Sequence, residues 1–385
     1  MFSDRIAPPG PENTLTRRRK ELAAAGIDLC NLAESNPSRC ALVPEAVLDL
    51  LRNPDALNYT PDCRGLPAAR AALGKINGTR PEDIFLCAST SEAYSWLFKL
   101  LCNPGDCILV PKPGYPLFDY LGGLEAVRVE PYRLEYHHPA GWRVDLDELE
   151  DILRRYKPKA LVLIHPNNPT GSYITEKERT AILDLVCALI VDEVFLPFPV
   201  EAEEPQYSFR NSSRGLVFCL NGLSKMLCLP QIKLGWIEAA GESVLREEAC
   251  KRLEVIADSY LSAGVVPMLA LPGLLALAPE VRSGVNRRLA GNLSVLHQVF
   301  DGPESPYRVL RCDGGWTALL ETPRYLPEEE LCVYLLEEAG LVLYPGYFFD
   351  CESQGILAIS LILPEAEFVD GAQRLKAALD SLAGD

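Results

Sequence analysis

From about residue 80 onward, short apolar runs alternate with stretches of helical periodicity. Ile84–Cys87, Ile108–Val110, Val127–Val129, Ala160–Ile164, Leu189–Val191 and Leu216–Leu220 are short and apolar on both faces. That pattern predicts strands of a parallel sheet covered by helices on each side. Between the first two runs, Ala93, Trp96, Leu97, Leu100 and Leu101 recur at helical spacing and form one apolar face. Asn103-Pro104-Gly105 then supplies a helix stop and a turn. The alternation predicts an α/β fold, with a mostly parallel sheet between two helical layers in a large domain over residues 45–285. A helix over Glu176–Val186 should lead almost directly into the strand at Leu189. After about residue 285 the helical patterns lengthen and strands become few, at Arg308–Leu310 and Leu357–Leu361. Residues 286–385, joined by residues 1–44, are expected to form a smaller α+β domain. Met1–Lys20 is polar and Pro-rich and reads as extended, and Met1–Gly10 has no apolar run of a signal peptide. Ser259–Pro279 carries no charge, but Pro267, Pro272 and Gly273 should break any spanning helix there. It reads as a buried or interface segment, not a membrane span.

Composition narrows the function classes. The chain has 385 residues, with 37 Lys+Arg against 53 Asp+Glu, a net charge of −16. Such a chain repels nucleic-acid backbones and anionic lipid surfaces, leaving small-molecule chemistry. The 13 cysteines show no CxxC and no Cys/His cluster with zinc spacing, so no metal site is expected. Free thiols in that number fit a reducing cytoplasm.

Four polar signals follow predicted strands. Ser89-Thr90-Ser91-Glu92 is a capping box; it is either a plain helix start or one whose free N–H groups receive a phosphate. His165-Pro166-Asn167-Asn168-Pro169-Thr170-Gly171 is a turn at a strand's C-terminal end, where open α/β sheets bind ligands. Asp192 ends a buried strand and needs either a cationic ligand atom or a neighbouring Arg. Lys225, after Asn221-Gly222-Leu223-Ser224, is either a solvated lysine or a desolvated nucleophile. Neither a GxGxxG fingerprint nor a phosphate-binding P-loop is present.

Taken in order, Asn36-Pro37, Tyr59 with Gly65, Ser89–Ala93, Asn103–Asp106, Pro113–Pro116, Asn167–Gly171, Asp192–Phe195 and Ser224-Lys225 resemble the class I/II aminotransferases, fold-type I enzymes that use pyridoxal 5'-phosphate (PLP). The resemblance covers about residues 30–365. It implies a transfer of an amino group between an α-amino acid and a 2-oxo acid through a Lys225 aldimine. It also implies that Asp192 pairs with the pyridinium nitrogen, that Asn168 donates to the phenolic oxygen, and that Tyr115 stacks on the ring. Ser89, Thr90, Ser91 and Lys233 would hold the phosphate, with Ser224 beside Lys225. Tyr59 would reach the phosphate of a neighbouring subunit, which implies a homodimer with shared sites. Asn36 would contact substrate.

Three positions depart from the family pattern. Phe195 stands where a phenolic-oxygen donor, Tyr, is common. Ala358-Ile359-Ser360 replaces the Arg-x-Ser whose guanidinium grips the substrate carboxylate bidentately. Arg64, with Arg311 behind it, is the candidate substitute. Asn168 and Asp192 lie 192 − 168 = 24 positions apart, a short spacing. The missing Arg keeps open another PLP reaction on the same fold, such as a C–S lyase, an elimination, a cyclisation or a decarboxylation. A PLP-binding regulator is disfavoured, since such proteins carry a basic DNA-binding module. Gly314-Gly315-Trp316 and Phe348-Phe349 are candidates for an apolar side-chain pocket, or for plain core.

Overall fold

The computed structural model describes residues 2–384, apart from residues 4, 7, 9, 186, 187 and 203–205. Met1 and Val186, which bound segments named above, and Cys187, one of the 13 cysteines, thus lie outside the described residues. Eight strands form the main sheet: β1 (Ile84–Cys87), β2 (Cys107–Lys112), β3 (Arg128–His137), β4 (Gly141–Val144), β5 (Ala160–Ile164), β6 (Ala188–Asp192), β7 (Leu216–Gly222) and β8 (Gly235–Gly241). Their order is β1-β8-β7-β6-β5-β2-β3-β4. The five strands from β7 to β3 run parallel; β8 is antiparallel to both its neighbours, and β4 closes a hairpin with β3. The fold is α/β, as the alternation predicts.

Burial on both faces explains the unbroken apolar runs. In β5, Ala160, Val162 and Ile164 join the core under helices Thr90–Leu101 and Ser243–Tyr260. Leu161 and Leu163 point into the opposite core, with Leu149 and Ile182 of helices Leu146–Tyr156 and Glu176–Leu185. The two-residue period thus feeds two helical layers at once.

Four local expectations need correction. Val127–Val129 is only the start of the ten-residue β3, whose outer half alternates Tyr132 and Leu134 inward with Arg133 and Glu135 outward. β8 carries Glu238 in mid-strand and so does not read as an apolar run. Its carboxylate is nevertheless buried, accepting hydrogen bonds from Asn77, Thr79 and the Trp236 indole N–H. The N-terminal stretch is not extended throughout: Thr14–Ala24 is a helix, capped by Asn13, which accepts from the Thr16 N–H at 2.7 Å. With Leu15 as its sole buried residue, it shows little periodicity to read. Finally, Pro272 and Pro279 do not break the uncharged segment; both lie inside the 36-residue helix Val265–Phe300. By length and composition that helix could cross a membrane, yet Leu271, Leu274, Val285 and Leu289 belong to one core with the C-terminal helices. Burial offsets the missing N–H donors.

The C-terminal third adds an antiparallel sheet in the order Arg308–Val309, Thr317–Glu321, Ile356–Ser360, Tyr344–Pro345. Cys30–Asn31 pairs in parallel with Leu341–Val342, tying the N-terminal segment to this region. Position 285 falls inside the continuous helix Val265–Phe300. The twelve described cysteines are all free.

Candidate active site

The C-terminal ends of the parallel strands open onto a cavity of about 650 Å³. Ser89, Thr90, Ser91, Tyr115, Asn168, Asp192, Ser224, Lys225 and Lys233 all line it. These nine residues come from separate loops spread over 145 positions (233 − 89 + 1), so their meeting is a product of sheet topology.

The Ser89 cap forms, and Glu92 reaches back one residue beyond it. Ser89 Oγ accepts from the Glu92 N–H at 3.1 Å, and Glu92 Oε2 accepts from the Ala88 N–H at 2.6 Å. The first N–H groups of helix Thr90–Leu101 have no intrahelical acceptor and carry the positive end of its dipole. β8 starts against this helix end. A Cβ on Gly235 would lie 3.1 Å from the Ser89 carbonyl carbon and 3.2 Å from the Thr90 nitrogen, so a larger residue would have to push this helix start away by a few tenths of an ångström. Lys233, two residues earlier, is thereby held at the same rim.

Asp192 ends β6, with Ile164 of β5 opposite it in register. The short Asn168–Asp192 spacing is therefore absorbed before β6 and leaves the carboxyl at the strand end. Oδ1 accepts from the Val194 N–H and Oδ2 from the Tyr94 hydroxyl, each at 3.1 Å. Burial pushes this carboxyl up to about 6, while those two donors and Lys225 restrain the shift. Lys225 sits in the short helix Leu223–Met226 that follows β7. Its ammonium lies 4.9 Å from the Trp316 ring centroid and 5.5 Å from that of Phe195. Burial lowers the lysine pKa, against the opposing influence of Cys228 and Asp192.

The Asn-rich turn divides its labour. Asn167 donates to the Pro113 carbonyl at 3.0 Å and to Thr170 Oγ1 at 2.9 Å, fixing the loop. Asn168 faces the cavity, and its Oδ1 accepts from the Thr317 hydroxyl at 3.4 Å. His165 is buried and structural: Nδ1 accepts from the Ile174 N–H, and Nε2 donates to the Tyr207 carbonyl. Burial holds its pKa down at about 4.

A sequence profile of the family described as Aminotransferase class I and II matches residues 27–375. The chain belongs to the class I and II aminotransferases. It is an enzyme, a transaminase that moves an amino group between an α-amino acid and a 2-oxo acid. Over 399 residues it is 24% identical to a probable aspartate/prephenate aminotransferase of Aquifex aeolicus, covering 97% of each chain. An S-alkyl-thiohydroximate lyase of Arabidopsis thaliana is 29% identical over 329 residues, 80% of this chain and 70% of the relative. The solved alanine aminotransferase from Pyrococcus furiosus superposes with a TM-score of 0.85 at 21% identity, over 95% of this chain and 96% of that one.

Two expected site residues, Asn36 and Arg64, do not line the cavity of this transaminase. Tyr59, expected to reach the site of a neighbouring subunit, is 77% exposed on the surface. Asn36 caps the turn Pro37–Arg39, its Oδ1 accepting from the Ser38 N–H. Arg64 is committed elsewhere: its guanidinium pairs with Glu254, donates to the Glu82 carbonyl and stacks over Phe85 at 4.9 Å. Arg311 is no replacement, since it pairs with Asp313 at 2.8 Å in a different cleft. Neither arginine is brought to the place left by Ala358. That place is in the cavity, with Ser360, Thr317, Trp316, Tyr344 and Phe348 around it.

Tyr94 and Thr317 escape a reading by motif. Tyr94 lies four residues after Thr90, one helical turn along, and so returns to the sheet end beside Asp192. That spacing is a usable signal once the helix start is known. Thr317 has no local signal; it reaches the site only because its strand pairs with Ile356–Ser360.

Proposed function

We propose that this transaminase uses PLP, seated with its phosphate at the helix start Ser89–Ser91 and Lys233 and its ring between Tyr115 and the strand ends. The donor set fits such a group: free N–H groups and a lysine for a phosphate, a carboxylate for a ring nitrogen, an amide for a phenolic oxygen. The observation that carries the reading is Lys225 and Asp192 meeting in one cavity at that helix start. When bound, PLP supplies the electron sink for the carbanion left as the donor's Cα–H bond breaks. Lys225, its pKa lowered by burial, would bond to the cofactor through Nζ and, once displaced by the donor, would take the Cα proton. Asp192 would hold a proton at the ring nitrogen, with the Tyr94 hydroxyl donating to its carboxylate. Phe195 offers no hydrogen bond, so Asn168 alone would donate to the phenolic oxygen.

The working unit in this reading is a homodimer. Leu57 and Tyr59 are 91% and 77% exposed, and Tyr260 and Leu261, at the start of the uncharged segment, are also exposed. An apolar surface of this kind suits a second copy, to whose site Tyr59 would then contribute. Free cysteines throughout the described chain support a cytoplasmic location.

The test is direct. Protein purified with PLP should absorb in the visible, and borohydride reduction should attach the cofactor's mass to the peptide bearing Lys225. An α-amino acid should bleach the band and a 2-oxo acid restore it. Turnover of an amino acid with no oxo-acid requirement would instead indicate lyase chemistry of the kind named for the Arabidopsis relative.

A further inference from the structure

The charged residues lining the cavity are Asp192, Lys225 and Lys233, and the reading above employs all three at the cofactor. No Arg is found among its described lining residues. Among the described residues of this chain, the substrate end carries no charge. Thr317 and Ser360 are direct partners across antiparallel strands, and Ala358 lies two residues from Ser360, so all three stand on one face. Ser360 is 6% exposed, and its hydroxyl has no partner among the described residues. Thr317 donates to Asn168 Oδ1, which turns the Asn168 amide N–H₂ away from Thr317, and that group also has no partner there. Trp316, Tyr344 and Phe348 make the surrounding wall apolar.

We propose, resting on the PLP transaminase reading, that the donor's carboxyl group is recognised by the neutral hydrogen bonds of Ser360 and Asn168 rather than by an ion pair. Thr317 is a positioning residue that fixes the Asn168 amide. The site therefore takes an α-amino acid and its neutral carboxyl derivatives, carboxamide or ester, on comparable terms. The reason is desolvation. A carboxylate buried without a counter-ion loses much of its hydration energy and regains little, whereas a carboxamide loses less and offers the same acceptor oxygen. An Arg in place of Ala358 would reverse this, because a bidentate guanidinium left unpaired by a neutral ligand is costly.

The test compares L-phenylalanine with L-phenylalaninamide, and L-leucine with L-leucinamide, in single-turnover bleaching of the holoenzyme. Acid and amide should react within about tenfold of each other, the scale of one neutral hydrogen bond. Ala358→Arg should shift that ratio toward the acid by about tenfold or more. Ser360→Ala should slow both members of a pair alike. Thr317→Val should weaken both and Thr317→Ser restore them. An acid preference above about 100-fold in the unmodified enzyme overturns the proposal, because a preference on that scale requires a cation at the site. It needs no variant that might misfold. Failure of the PLP reading is separately visible, as absence of the absorption band before any donor is added.

Discussion

At one end of the cavity a phosphate would meet helix N–H groups, hydroxyls and Lys233; at the other a carboxyl group would meet Ser360, Asn168 and no cation. Both ends must hold an anion against loss of water, yet only the first is built with charge. The first also carries nearly all the ordered motifs of the family, while the second carries the departure Ala358, with Phe195 between them. In the proposed reading the first end holds the cofactor, and the second is a short antiparallel pair in the C-terminal region, with Thr317 opposite Ser360.

The contrast breaks most severely at Lys225. Lys225→Ala should lose the covalent cofactor and at least about 10³-fold in kcat, since it removes both nucleophile and base. Single-turnover kinetics with excess PLP checks this. If the variant kept a borohydride-reducible bond at another lysine, the charged end would be misassigned. Asp192→Asn should come next, costing about 10²–10³-fold in turnover through loss of the charge facing the ring nitrogen. The same change should stabilise the cofactor-free protein. The folded pKa of Asp192, about 6, lies above its ordinary value of 3.8, so the native state binds more protons than the unfolded chain between those limits. Its contribution is therefore most favourable below about pH 4 and is lost as the pH rises through 6. Removing the charge should recover roughly 1–3 kcal/mol at pH 7, read from denaturant melts of the apoprotein at pH 4 and pH 7.

Tyr94→Phe tests the same end more finely. The Tyr94 hydroxyl donates to Oδ2 and favours the ionised form of Asp192. Without it the carboxyl should protonate at higher pH, and the acid limb of kcat should move upward. The cost at pH 8 should be about tenfold, the value of one hydrogen bond to a charged group at the low end of its range, about 1.5 kcal/mol. An unshifted acid limb would show that Tyr94 only fills space.

Most of the charged end was legible in the sequence, and the reason is local. Ser89-x-x-Glu92 states its own helix start, Asp192 closes an apolar run, and Lys225 follows another within five residues. Such signals need only neighbours within a few residues. The neutral end was legible as an absence, at Ala358, but not as a construction. Thr317 and Ser360 meet through strand pairing across 43 positions (360 − 317), which no periodicity encodes. Arg64 misled for the same reason: its partner Glu254 is 190 positions away. The sheet followed suit, with β5 and β6 plain as apolar runs and β8 hidden by a buried Glu238 whose compensating partners are distant.

Phe195 lies where the two ends meet, and the smallest predicted effect belongs to it. Its buried ring packs edge-on against Trp316 at 5.5 Å and lines the cavity beside Lys225. Phe195 both lines the cavity and belongs to the core, and Phe195→Tyr adds only a hydroxyl. In the proposed arrangement it would give the phenolic oxygen a second donor beside Asn168. A hydrogen bond to an anionic oxygen stabilises the deprotonated form. The visible band of the holoenzyme should therefore complete its pH transition at lower pH in the variant. The acid-to-amide ratio, which is set at Ser360 and Asn168, should stay put. A titration that does not move places the Phe195 ring edge away from the cofactor. A ratio that does move shows that the two ends are coupled through Asn168, which serves both.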